Sequence, residues 1–141
     1  MMILPVEESL LSSLPYNRIS NLKKDDLKIY LDDNHSLLAI KNNDYILGFI
    51  ALSLSLDEAE IDYIAINKEE EGKGLATILL EDVFSKLKEK GLKSIFLEVR
   101  KSNVRAIHLY EKNGFKLYRE RKSYYLSPIE DALCYRKELV P

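Results

Sequence analysis

Residues 58–100 place the strongest constraint on how this chain can fold. They read as strand, glycine-bearing turn, helix and strand, and two strands joined through a helix lie parallel in one sheet. In the first strand, residues 58–66, Ile61, Tyr63 and Ala65 alternate against Asp62, Ile64 and Ile66, so its end is apolar on both faces. The helix is the clearest in the chain: Leu75, Ile78, Leu79, Val83, Phe84 and Leu87 recur at helical spacing, and Gly91 falls where a C-terminal cap belongs. Residues 93–100 alternate strictly, with Ile95, Leu97 and Val99 on one side and Ser94, Phe96 and Glu98 on the other.

The flanking segments add antiparallel partners. Met2–Val6 reads as a short strand, and residues 7–33 as helix in two pieces broken at Pro15. Residues 36–41 and 45–55 read as strands joined by a hairpin at Asn42-Asn43-Asp44. Asn103 is a suitable N-cap for a second helix, residues 104–112, that stops at Asn113-Gly114. Residues 115–120 and 131–139 read as a final antiparallel pair, with Tyr124–Pro128 in the loop between them. A parallel unit set among antiparallel strands predicts a mixed α/β sheet. No stretch reads as linker, repeat or low complexity, so residues 1–141 are expected to form a single domain.

Composition closes off several classes of function. Twenty-one Lys and Arg against 23 Asp and Glu give a net charge of −2, whereas a dedicated nucleic-acid binder carries a basic excess. One cysteine, Cys134, excludes an intrachain disulfide framework, and with only His35 and His108 beside it no Cys/His zinc site can be assembled. No apolar run approaches the ~20 residues that cross a bilayer, and the first residues lack the pattern of a secretory signal. These features lead to the expectation of a soluble cytoplasmic protein with no metal, membrane or direct nucleic-acid partner.

Three places could carry chemistry. In Glu71-Gly72-Lys73-Gly74-Leu75-Ala76 the glycines let backbone N–H groups approach an anion, and the helix that follows adds its partial positive charge. This is not a Walker loop, because the lysine sits between the glycines and no Ser or Thr follows it. Glu98, taken alone, is an ordinary solvent-facing carboxylate, and Tyr110, taken alone, a core tyrosine.

Their order changes that reading. Ile64-Ala65-Ile66, then Gly72-Lys73-Gly74-Leu75-Ala76, then Leu97-Glu98-Val99-Arg100-Lys101-Ser102-Asn103, then Ala106-Ile107-His108-Leu109-Tyr110-Glu111-Lys112-Asn113-Gly114-Phe115 resemble the GNAT family of N-acetyltransferases. The last two blocks, with Tyr124-Tyr125 and Glu130-Asp131-Ala132, are similar to the branch that acetylates protein N-termini. The likeness covers residues from about 56 to 139 and is thin over the first 50. It implies a GNAT fold: a mixed, mostly antiparallel sheet with a central splayed parallel strand pair and flanking helices.

It also implies a set of roles. Acetyl-CoA would lie between the splayed strands, its pantetheine on the backbone of Ile64, Ala65 and Ile66. Its pyrophosphate would sit on Gly72, Lys73, Gly74, Leu75, Ala76 and Thr77, with Asn103 holding the far side. Glu98 would be general base and Tyr110 general acid. An ordinary carboxylate of pKa ~4.3 lies about 3.5 pH units below an α-amino group but about 6 below a lysine, so the pairing suits an α-amine. The implied partner is a protein or peptide N-terminus, a ribosomal protein among the candidates, and the chain would act as monomer or homodimer. A small-molecule amine or lysine acceptor is the alternative, as is a non-catalytic acyl-CoA-binding subunit. The family's loop usually opens with Gln or Arg where this chain has Glu71. Near a pyrophosphate, one extra negative charge at ~8 Å costs about 2 kcal/mol before screening. Lys68 and Lys73 are one expected compensation; the other is that the glutamates of the loop point outward and only the backbone binds.

Overall fold

The computed structural model describes residues 1–139. Seven strands form one sheet in the order β1-β2-β3-β4-β5-β7-β6. These are β1 Met2–Pro5, β2 His35–Asn42, β3 Tyr45–Ser55, β4 Glu58–Ile66, β5 Ser94–Arg100, β6 Lys116–Leu126 and β7 Ile129–Glu138. Two α-helices, α1 Leu75–Glu89 and α2 Val104–Lys112, connect β4 to β5 and β5 to β6. β4 and β5 are the parallel pair, and every other pairing is antiparallel. The sheet is the mixed, mostly antiparallel one that the resemblance implies.

Strand alternation decides which residues reach which layer. In β2 and β3, Leu38, Ile40, Ile50 and Leu52 face one side, where they pack with Leu75, Leu79, Leu80, Val83 and Leu87 of α1. The intervening Leu37, Ala39, Phe49 and Ala51 face the other side, against Leu11, Leu14, Leu27 and Tyr30. Both central strands are buried on both faces, which is why their sequences are nearly unbroken apolar runs. Ile95, Leu97 and Val99 of β5 join the helix-covered layer together with Tyr110 and Phe115.

Two expectations need correction. Residues 7–33 hold no α-helix but three 3-10 turns, Glu8–Ser13, Tyr16–Arg18 and Lys24–Leu31. Pro15 ends the first, and Asn21, with φ of +65°, breaks the chain before the third. The second correction is to the last hairpin. Tyr124 and Tyr125 belong to β6, which runs to Leu126, so the connection shrinks to Ser127-Pro128. β6 is an exposed edge strand with register shifts at Leu117/Arg119 and Arg121/Tyr125. Those bulges remove the period-2 signal that marks a strand.

Candidate active site

The site begins where the parallel pair comes apart. β4 and β5 are in register from Glu58 opposite Ser94 to Ile61 opposite Leu97, and the pairing ends there. Yet β4 continues to Ile66 and β5 to Arg100. A bulge drives the divergence: on β3, Ala51 faces Tyr63 and Leu52 faces Ile61, so Asp62 is the extra residue of β4. Asp62 is held by the Tyr30 hydroxyl at 2.8 Å and by the Ser53 hydroxyl. Beyond the fork, the β5-facing edge of β4 has no ladder partner among the described residues.

On the helix side, the fork opens into a cleft of about 570 Å³. Ile64, Ala65 and Ile66 form one wall, and Asn103 and Tyr110 line the opposite side. Gly72, Gly74, Leu75, Ala76 and Thr77 form its end. Gly72 and Gly74 both have φ of +79°, a conformation that favours glycine. Gly74 is the N-cap of α1, no side chain caps that terminus and its first turn holds no acidic residue. The leading N–H groups of α1 are therefore directed at the cleft, with the positive end of the helix dipole behind them. Asn103 caps α2, its side-chain oxygen accepting from the Ala106 N–H at 3.2 Å.

Tyr110 is 7% exposed and sits edge-on to Phe115, with ring centroids 5.7 Å apart. Burial, then the Tyr125 charge, pushes its phenol up to about 12. Unfolded tyrosine ionises near ~10, so the stability from this neutral burial is intact below pH 10 and is lost between pH 10 and 12. Thermal melts of Tyr110→Phe against the parent across that range should show a shallower alkaline decline for the variant. Parallel curves would mean that this phenol does not contribute to the alkaline limb.

Glu98 lies on the other face of the sheet. It is the first residue of β5 past the fork and is opposite Cys134 of β7. Here a second cleft of about 320 Å³ is lined by Ser53, Glu60, Phe96, Glu98, Tyr118 and Arg121. Arg121 Nε stands 3.2 Å from Glu98 Oε1. Its N–H is not aimed along that line, and among the described residues this nitrogen has no hydrogen-bond partner. The Tyr124 hydroxyl is raised above its ordinary value chiefly by its hydrogen bond to Glu98. Burial, then the charges of Asp62 and Glu98, raises the Glu60 carboxyl. Arg121 stacks on Tyr124 at 5.3 Å and Arg100 on Tyr125 at 4.3 Å, fixing the tyrosine pair beside the cleft.

Glu98 and Tyr110 thus come from opposite faces of one sheet, and the fork is the slot between them. Lys73, expected with the loop, does not line the cleft, because its amine is drawn to Glu70 at 2.7 Å. The loop carboxylate Glu71 meets two arginines from other elements instead: Arg18, and Arg105 at 2.6 Å. These contacts hold its carboxyl below the usual carboxylate range, Arg105 chiefly. Sequence reasoning missed Arg18, Arg105 and His108, all of which line the cleft. Glu130 ties β7 to the β5–α2 turn through the Ser102 N–H and Arg100. Among the described residues, no group of three or more His, Cys, Asp or Glu side chains could hold a metal ion. No helix there is long and apolar enough to cross a membrane.

Comparison with known proteins agrees with this geometry. The chain is 43% identical over 91 residues to the [ribosomal protein bS18]-alanine N-acetyltransferase of Haemophilus influenzae, covering 64% of this chain and 62% of that protein. To the Escherichia coli protein of the same name it is 36% identical over 86 residues, covering 61% and 58%. These matches span about 60% of the relatives' own length. Among solved structures, the ribosomal-protein-S18-alanine N-acetyltransferase of E. coli superposes with a TM-score of 0.90 at 26% identity, covering 99% of this chain and 94% of that one. A GNAT-family acetyltransferase from Elizabethkingia anophelis with acetyl-CoA bound superposes at 0.82 with 25% identity, covering 97% of each chain. The model of the acetyltransferase (GNAT) family matches residues 4–115. With the forked parallel pair and the glycine loop at α1 in the same stretch, the chain belongs to the GNAT family of acetyltransferases.

Proposed function

We propose that this protein transfers an acetyl group from acetyl-CoA to the α-amino group of a protein N-terminus, with a ribosomal protein as the acceptor class. The observation that carries the reading is the fork, with a buried phenol lining the cleft on one face of the sheet and a carboxylate lining the cleft on the other. The kinship with bS18-alanine acetyltransferases supports the choice of acceptor.

Acetyl-CoA supplies the acyl group as a thioester. The backbone of Ile64, Ala65 and Ile66 holds the pantetheine arm, and the N–H groups from Gly72 to Thr77 hold the pyrophosphate. On the far face, Glu98 takes the proton that the α-ammonium must lose before it can attack. The acidic cleft around Glu60 and Glu98 attracts that cationic end. N–H groups on the unpaired edge of β4 steady the charge that develops on the acyl oxygen. Tyr110, at about 12, holds its proton more tightly than a thiol of ~8.5. It therefore donates a hydrogen bond to the departing sulfur, and CoA leaves as a thiolate that takes up the second proton, shed by the nitrogen as the C–S bond breaks and the amide forms. Tyr124 and Tyr125, edge-on to each other and each beneath an arginine, wall the acceptor side.

The test is a thermal melt with and without acetyl-CoA, followed by mass spectrometry of peptides with free N-termini. Ligand at 100 times its Kd adds about 2.7 kcal/mol, which for a domain of this size is a rise of several degrees. A rise, and a gain of one acetyl group at the peptide α-amine, is expected. No rise at millimolar acetyl-CoA in folded protein would sink the reading. Acetylation confined to lysine or a free polyamine would reassign the acceptor.

A further inference from the structure

The mouth of the cleft carries two guanidiniums that a backbone phosphate loop does not require. Arg18 closes the turn Tyr16–Arg18, and Arg105 is the second residue of α2. Both reach Glu71, Arg18 Nη2 donating to Oε1 and Arg105 Nη1 to Oε2. A single carboxylate thus joins the N-terminal segment, the β4–α1 loop and α2 beside the glycine loop. With Glu70 of the same cleft paired to Lys73, two guanidiniums against the Glu71 carboxylate leave a net positive charge there. Each guanidinium has five N–H donors and gives one to Glu71, so most donors are free for a ligand.

We propose that Arg18 and Arg105 form a side-chain grip for phosphate groups of the co-substrate, and that Glu71 is the counter-ion those phosphates displace. The grip rests on the reading that this cleft binds acetyl-CoA. Guanidiniums match phosphate oxygens in pairs, and a polyanion offers them more charge than one carboxylate does. The Arg105 side chain is 71% exposed, and an ion pair so open to water is readily exchanged. Glu71 gathers the arginines while the site is empty and repels the phosphates once they arrive. Loss of an arginine and loss of the Glu71 charge should therefore move affinity in opposite directions.

Titration calorimetry at low and high salt tests this with two probes, acetyl-CoA and its nucleotide head, 3′-phosphoadenosine 5′-diphosphate. Arg105→Ala and Arg18→Ala should each weaken both probes about tenfold and flatten their salt dependence. Glu71→Gln should tighten both by about threefold, half a unit of log K. Arg105→Lys should recover part of the loss. Parent-like affinity in both arginine variants overturns the grip, and so does a Glu71→Gln variant that binds as weakly as they do. Ligand-free melts show whether each variant is folded; if Arg18→Ala is not, the exposed Arg105 pair of variants decides. The nucleotide head separates the two hypotheses. If it follows the expected pattern but no acetyl group is transferred, the grip stands and the acetyltransferase reading falls. If neither the parent nor Glu71→Gln binds either probe, both fall.

Discussion

Replacing Glu98 with Gln should lower turnover on a peptide α-amine by roughly 100- to 10,000-fold and leave acetyl-CoA affinity at the parent value. The split follows from where the side chain lies. Glu98 lines the cleft on the open face and does not line the one that would hold the cofactor. Glutamine keeps the shape and an oxygen near Arg121 but cannot take a proton. The deficit should also narrow as pH rises past ~8, because the amine then loses its proton to solvent without help. Turnover across that pH range, with a calorimetric Kd beside it, checks both parts. A deficit that stays constant at alkaline pH would make Glu98 a positioning group, and no deficit would remove it from the reaction.

Gly48→Ala should damage both the fold and the cleft. Gly48 of β3 lies opposite Ile66, and a Cβ there would stand 2.5 Å from Ile66 Cδ1 and 2.7 Å from the Ala65 carbonyl oxygen. The Ile66 side chain can swing away, but the carbonyl belongs to β4 and can move only if the strand does. Overpacking of this kind costs about 1–3 kcal/mol, a fall of several degrees in Tm for a chain of this length. Because Ala65 and Ile66 wall the proposed pantetheine channel, acetyl-CoA affinity should drop by more than tenfold as well. A variant that melts lower yet binds normally would show that β4 shifts without closing the channel. A variant matching the parent in both would mean that the strands separate freely at this point.

The parts of the molecule visible in the sequence are those whose cause is local. α2 runs over residues 104–112 as expected, because Asn103 caps it through the Ala106 N–H and Gly114, with φ of +91°, follows its end. The glycine loop is equally local: φ values of +79° at Gly72 and Gly74 place it before an apolar, strongly periodic helix. The N-terminal segment was harder to read. Residues such as Leu11, Leu14, Leu27 and Tyr30 are apolar at intervals that suit a helix, yet they fill places over Phe49 and Ala51 from two separate short turns, the first pair from Glu8–Ser13 and its C-cap, the second from Lys24–Leu31. The first half of β6 was read as a strand, but its continuation over residues 121–126 hid for a different reason, since an exposed edge strand with two bulges carries little alternation. Long-range charge left no trace at all. Arg18, Glu71 and Arg105 meet across three elements, and nothing in the neighbourhood of any one of them announces the other two. Of the lysines expected as counter-charges, Lys73 meets Glu70, while Glu71 is met by these arginines.

The point where β4 and β5 part has a mechanical meaning as well as a chemical one. The sheet is two leaves, β1–β4 and β5–β7–β6, stitched to each other along only four residue pairs. By contrast, β3 and β4 are joined by eight. A seam that short acts as a spine, and the leaves on either side of it resemble the boards of a book. An amide-bearing pantetheine arm laid into the gap would supply the rungs the protein omits and bridge the unpaired edge of β4 toward β5. On the proposed function, the co-substrate is thus a transient eighth strand, and every catalytic cycle binds the book and then unbinds it.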